Sequence, residues 1–193
     1  MKSHSIGLTL GLVFFLAVIA AGCQKAGVEA AYDNTSNASA PAGSLPVWDR
    51  DFLVAAEKTE VEERSLSQAA WNQARSADVK EYARAVMDDH GQTLQQLRDL
   101  MRRKGAGEPG TASEASAEGA YRLDQFSGAN FDHEYISLMA AETQEAVSRF
   151  RQAAETADDR EVRSYATSVL PVLVREKQQA ADLEKRLAQH PGQ

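Results

Sequence analysis

One cysteine, Cys23, is all the thiol the sequence contains, so no intramolecular disulfide can form. Several catalytic signatures are also missing. The sequence has no glycine-rich phosphate loop, no Gly-x-Ser-x-Gly elbow and no zinc-protease motif. No Glu-x-x-His pair occurs, and true di-iron bundles carry that pair on two helices, which argues against ferroxidase chemistry. No strand-like alternation and no convincing internal repeat stand out. No block of like charge is long enough to act as a tail. With 21 Lys+Arg against 28 Asp+Glu the net charge is −7, which favours neither nucleic acid nor an anionic bilayer as partner.

The one long apolar run lies at the N-terminus, from Ile6 to Ala21, behind Lys2 and ahead of Ala20-Ala21-Gly22-Cys23. A positive start, an apolar stretch and small residues before a cysteine have the layout of a cleaved secretion signal. The small residues before Cys23 resemble the lipobox of bacterial lipoproteins, although Ala20 stands where leucine is common. Residues 1–22 are therefore expected to be removed and Cys23 to be lipidated, which leaves no thiol for a metal site or a nucleophile. Losing Lys2 with the signal takes the net charge from −7 to −8. The alternative is an uncleaved transmembrane anchor, for which the run is short, since a span needs about 20 apolar residues. Either way the domain is tethered to a membrane at the cell envelope. Gln24 after the cysteine resembles the outer-membrane sorting pattern, so the periplasmic face of the outer membrane is the expected site. Lipoproteins of this type resemble multiply acylated anchors, palmitate among the chains, which hold better than a single acyl chain.

Residues 23–48 form the lipidated cysteine and a linker rich in Ala, Asn, Ser and Gly, too polar to offset the entropy of ordering it. Residues 49–188 are expected to be an all-α, antiparallel four-helix bundle. The helices should run from about Asp49 to Gln73, Ala77 to Arg103, Asn130 to Ala157 and Asp159 to Ala188. Each is rich in good helix formers and carries apolar residues at three- and four-residue spacing. Asp158-Asp159 is placed to cap the fourth helix, and Pro171 to kink it. Residues 104–119 read as a flexible loop, a short helix from Ala120 to Phe126 should lead into the third helix, and residues 189–193 form a tail. Short links make helices one and two, and helices three and four, antiparallel hairpins.

Polar residues interrupt the apolar stripes. At 100° per residue, Glu60 and Glu63 fall on the buried face of helix one and His90 at the centre of that of helix two. Glu142 falls on the line of Phe131, Tyr135, Leu138 and Ala146 in helix three, with Thr143 nearer its edge. Glu176 falls between Leu173 and Ala180 in helix four. Glu63 and His90 are equally distant from the first hairpin turn, and Glu142 and Glu176 similarly distant from the second, so all five form one mid-bundle layer. Four carboxylates cannot be balanced by one imidazole. Either carboxyls are protonated with raised pKa, or a divalent cation neutralises them, or the layer is hydrated. Iron, manganese or zinc suits such oxygen and imidazole ligands better than copper(I). The competing reading is a hydrogen-bonded structural layer, the usual state of buried polar groups. Tyr82, Tyr135 and Tyr165 read as core aromatics whose hydroxyls seek partners. Trp48 and Trp71 read as packing residues at helix ends.

The segments Asp51-Phe52-Leu53 with Glu60-Val61, Val79-Lys80 through Asp89-His90, Leu123 to Tyr135 and Leu170-Pro171-Val172-Leu173 carry a resemblance in this order. Over about Asp49 to Leu183 the chain resembles the predicted outer-membrane, ferritin-like family of unknown function numbered four-one-four-two. The resemblance implies a four-helix ferritin-like bundle in the cell envelope and brings no established activity. His90 and Glu60 match the family pattern. Thr143 and Glu176 stand where the family often has histidines, so a carboxylate-rich site would replace a histidine-rich one here. Two functions follow as expectations: a non-enzymatic, membrane-tethered module that binds a protein or small ligand, which is favoured, and a divalent metal-binding bundle using the Glu/His layer.

Overall fold

A computed structural model describes residues 45–107 and 122–189, all within one compact unit spanning residues 39–193. The secretion segment, Cys23, most of the linker, most of the 104–119 loop, and His190 with the tail after it lie outside the described residues.

Four helices carry the fold: α1 Val47–Gln73, α2 Ala77–Lys104, α3 Gly128–Thr156 and α4 Arg160–Gln189. The all-α four-helix expectation holds, with helix ends within two residues of those read from sequence. α1 starts two residues early, inside the expected linker, because Pro46 sits just outside it at φ −50 and leads the chain into the first turn. Asp159 caps α4 as expected, its Oδ1 accepting the N–H groups of Glu161 (2.8 Å) and Val162 (3.2 Å). α2 stops at Gly105, which adopts φ +61 while the Ala106 N–H closes on the Met101 carbonyl at 3.0 Å. Pro171 does not end α4. Of the short helix expected before α3, Arg122 and Leu123 are helical, followed by a turn.

Links of three residues make α1–α2 and α3–α4 the two closest packed pairs. α1 also packs on α3, and α2 on α4, which puts α1 diagonal to α4. Two buried aspartates tie each hairpin to the other's turn. Asp132 in α3 accepts the N–H groups of Arg75 (2.9 Å) and Ser76 (2.8 Å) from the α1–α2 link. Asp49 in α1 accepts those of Asp158 (3.2 Å) and Asp159 (2.6 Å) from the α3–α4 link. Both carboxylates are buried, and both relieve backbone donors that would otherwise be orphaned near a helix start.

These reciprocal caps expose an internal repeat that was not apparent in the sequence. Residue 49 corresponds to 132, 75 to 158 and 76 to 159, always 83 positions apart. The same spacing matches Ala70 with Ala153, Val79 with Val162, Tyr82 with Tyr165, Ala83 with Ala166 and Val86 with Val169, all buried. The contact of Phe52 with Phe150 (ring centroids 5.1 Å) corresponds to that of Tyr135 with Ser67 (hydroxyls 2.8 Å). The bundle is two versions of one hairpin packed against each other.

The apolar core is divided in two. One cluster gathers around Phe52, Leu97, Phe150 and Val169 at the end where α1 begins. The other gathers around Leu66, Val86, Phe131 and Tyr135 at the opposite end. Between them lies a band of buried polar side chains that includes Glu60, Glu63, His90, Thr93, Thr143 and Glu176.

Candidate metal centre

His90 is the hub of that band. It lies on the line of Tyr82, Val86, Leu94 and Leu97, whose spacing keeps it inside the bundle at 1% exposure. Its Nε2 stands 3.1 Å from Glu63 Oε2 of α1 and 3.1 Å from Glu176 Oε2 of α4. Its Nδ1 stands 3.1 Å from Glu60 Oε2. One N–H cannot serve two carboxylates, and of the pair at Nε2 only Glu176 is aligned for a hydrogen bond. Both oxygens of Glu63 are buried and unbonded, as are Glu176 Oε1 and His90 Nδ1, which lies near Glu60 Oε2 without being aligned to bond it.

Glu60 is held on its other side. The Thr93 hydroxyl donates to its Oε2 at 2.5 Å, and the Tyr165 hydroxyl donates to its Oε1 at 3.2 Å. Both carboxylate oxygens are thus oriented, with Oε2 beside the His90 ring.

Burial and like charge disturb the titration of the group. Burial pushes Glu63 up to about 8, with Glu176, Glu60 and Glu142 adding to the rise against the pull of His90. Burial also raises Glu176, although its bond to His90 resists. Burial alone would lower His90, but its bond to Glu176 and the adjacent carboxylates of Glu60 and Glu63 outweigh it, so His90 is raised. Near neutral pH these shifts favour protons on Glu63 and on His90, which reduces the negative charge of the three carboxylates without cancelling it. Two protons carry the charge that one divalent cation would supply.

Glu63, His90 and Glu176 offer ligand atoms that all lie within 4.8 Å of one another. That spacing allows three donors to converge on one ion, since metal–ligand bonds of about 2.0–2.2 Å put neighbouring donors roughly 3–4 Å apart. The fit goes beyond the spacing. A ligating histidine commonly presents its second nitrogen to a carboxylate, which fixes the ring, and Glu60 stands at Nδ1 for that role.

Of the five residues read from sequence, four meet here. Glu142 does not. It is half-buried, whereas Thr143 is fully buried and donates to the Met139 carbonyl at 2.6 Å. The wheel had their positions reversed. The repeat explains why: Thr143 corresponds to Glu60, so it is the position that faces the layer. Glu142 still contributes its charge at Glu63. Sequence reasoning missed Thr93, the partner that orients Glu60. It also missed buried Glu57, which accepts from Arg98 Nε at 2.7 Å beside the layer. A threonine three residues after His90, on the same helix face, was the available signal. Tyr135 and Tyr165 found hydroxyl partners, but the Tyr82 hydroxyl is buried with none. Trp48 and Trp71 are more than a third exposed, and Trp48 stacks on Phe52 at 6.0 Å.

A protein-family model described as "Domain of unknown function (DUF4142)" matches residues 34–183. A solved structure described as the "DUF305 fragment from Deinococcus radiodurans" is similar over 75% of this chain and 99% of that chain. Its TM-score is 0.64 at 17% identity, a likeness of fold alone. No curated protein matches the chain. Among the described residues, no helix is long and apolar enough to cross a membrane.

Proposed function

This chain belongs to the DUF4142 family, and we propose that it is a lipid-tethered envelope protein whose bundle binds one divalent cation between its two apolar clusters. Glu63, His90 Nε2 and Glu176 are the ligands, and Glu60 orients the ring through Nδ1. The observation that carries this reading is the pair of unbonded, buried Glu63 oxygens 3.1 Å or more from a histidine nitrogen already bonded to Glu176. A purely structural layer would be expected to pair that carboxylate, because leaving one buried and unsatisfied costs several kcal/mol. The donor set of hard oxygens and one imidazole suits iron, manganese or zinc. The role is binding rather than turnover, and the fold is of the ferritin-like kind.

Tethering rests on the sequence: Lys2, the apolar run 6–21 and small residues before Cys23. Gln24 favours the periplasmic face of the outer membrane. Labelled palmitate should enter the wild-type protein in cells and not Cys23→Ser.

Metal binding is tested by elemental analysis and calorimetry on protein purified without chelator. The expected result is one cation per chain, lost in His90→Ala and in Glu63→Gln. Absence of binding in the wild type, with both variants merely altered in stability, would leave the layer a protonated structural element and the protein a module defined by its partners.

A further inference from the structure

The repeat places two grooves at equivalent positions between α2 and α4, and they are not equally built. Each has a buried tyrosine in its wall, Tyr82 in one and Tyr165 in the other, 83 positions apart. Gln179, Leu183 and Arg186 in the first correspond to Gln96, Leu100 and Arg103 in the second.

At the second groove the tyrosine is fastened. Tyr165 donates to Glu60 at 3.2 Å, and the charges lining the mouth, Arg103 and Glu161, pair with each other at 3.1 Å. At the first groove, about 330 Å³ against about 220 Å³, the tyrosine ring packs on Tyr135 (centroids 6.1 Å) but its hydroxyl is not fastened. Tyr82 is only 4% exposed, yet its hydroxyl has no partner. Arg186 pairs with Asp78 at 3.5 Å as Arg103 does with Glu161, but Glu81 and Asp182 also line this mouth and leave it with two acids in excess.

Two wall residues of the first groove also lie near the layer along their helices. Gln179 lies in its wall, three residues along α4 from the ligand Glu176. Tyr82 shares a helix face with Val86 and His90, two turns or about 12 Å from the imidazole at 1.5 Å per residue. Burial raises the pKa of the Tyr82 phenol, and Tyr135 and the charges of Glu176 and Glu63 add to the rise.

We infer that divalent cations reach the layer through the acidic groove between α2 and α4 over Tyr82, whose ring, unbonded at its hydroxyl, is the gate. The inference rests on the reading of Glu63, His90 and Glu176 as a cation site. A buried hydroxyl without a bond gains one by turning out to water, so the ring has reason to swing. The acidic mouth concentrates cations in front of it and accelerates their arrival. The Tyr165 groove, neutral at its mouth and held by Glu60, is the closed counterpart.

The test is stopped-flow loading and chelator-driven release of cobalt(II) on the detergent-solubilised full chain. Tyr82→Ala should speed both loading and release about tenfold while leaving the dissociation constant within about threefold, the signature of a gate rather than a ligand. Tyr82→Phe keeps the ring and removes the reason to swing, so it should slow both. Replacing Asp78, Glu81 and Asp182 by their amides should slow loading and flatten its dependence on ionic strength, whereas Glu161→Gln at the other groove should change neither. If cobalt(II) binds but the Tyr82 variants load and release at the wild-type rates, the route lies elsewhere and the cation site stands. If the wild type takes up no cobalt(II), the site and its route fall together.

Discussion

The two hairpins share a frame and differ in what they put in the middle of it. At the four positions where one repeat can be read directly against the other, Glu60, Glu63, His90 and Thr93 of the first hairpin correspond to Thr143, Ala146, Leu173 and Glu176 of the second. All eight are buried. The second hairpin shows that three of these positions accept Thr, Ala or Leu with the fold intact. The polar set of the first hairpin is therefore not demanded by helix packing. Buried ion pairs are weak sources of stability, and well-packed apolar replacements often match them. A cluster that the fold does not need, concentrated in one repeat and completed by a single glutamate of the other, has the makings of a site.

The sharpest way to break this comparison is to give the first hairpin the second one's residue. His90→Leu copies Leu173 but leaves Glu60, Glu63 and Glu176 without their imidazole. The expected loss is about 3–5 kcal/mol at pH 8, the range for removing one partner of a buried charged group. It should shrink at pH 5, well below the raised value of Glu63 at about 8. Urea unfolding at the two pH values measures both. A loss under about 1 kcal/mol at pH 8 would mean that the layer is hydrated and the two hairpins are interchangeable there.

The next prediction concerns pH in the unmodified protein without added metal. Glu63 rises from 4.5 to about 8 on folding, so the folded state holds a proton that the unfolded chain has released between those values. His90, raised on folding, works in the same direction: its contribution is complete below the unfolded value near 6.5 and fades as pH climbs through its folded value. Stability should therefore fall on the order of 3 kcal/mol from pH 5 to pH 8.5. Saturating divalent cation should flatten the slope, because the ion displaces those protons. Binding should release protons, visible as a dependence of the calorimetric heat on the buffer. Glu63→Gln should remove most of the slope, and the second hairpin, with Ala146 at the same place, has no group to replace it.

The aspartate caps test the shared frame instead of the difference. Asp49→Ala and Asp132→Ala each strip two backbone N–H partners from a helix link. Each should cost about 2 kcal/mol, and the two costs should agree, since they are one interaction made twice. Thermal melts would show it. Clearly unequal losses would mean that the repeat is geometric but not energetic.

The helices and their pairing were legible in the sequence because they depend on local periodicity and short links. The polar layer was legible because Glu63 and His90 sit at equal distances from a tight turn. The caps were not. Asp49 bonds backbone groups 109 and 110 positions away and Asp132 bonds groups 56 and 57 positions away, and nothing local marks such partners. The repeat was hidden because its apolar positions interchange freely, Phe52 with Tyr135 and Ala56 with Met139, so few identities survive. Glu142 and Thr143 were reversed because an idealised wheel drifts along a long helix, and one position is 100° of arc. Whether the layer takes up protons or a metal depends on donor alignment, which only coordinates give.

The smallest expected effect is the most discriminating. Tyr82 and Tyr165 are the same residue of the repeat, both buried in the wall of a groove between α2 and α4. Tyr165→Phe deletes a hydrogen bond to Glu60, and with it half of the support for the carboxylate at His90 Nδ1. It should cost about 1.5 kcal/mol, the upper end for an ordinary intramolecular hydrogen bond. Tyr82→Phe deletes a hydroxyl that bonds nothing, so it should cost nothing or stabilise by up to about 1 kcal/mol through the lost desolvation penalty. Identical chemistry at equivalent positions would then act with opposite sign, and chemical denaturation of the two variants side by side measures the difference. Equal losses would mean that Tyr82 has a bonding partner in solution, which would fasten its ring and remove the contrast between the grooves.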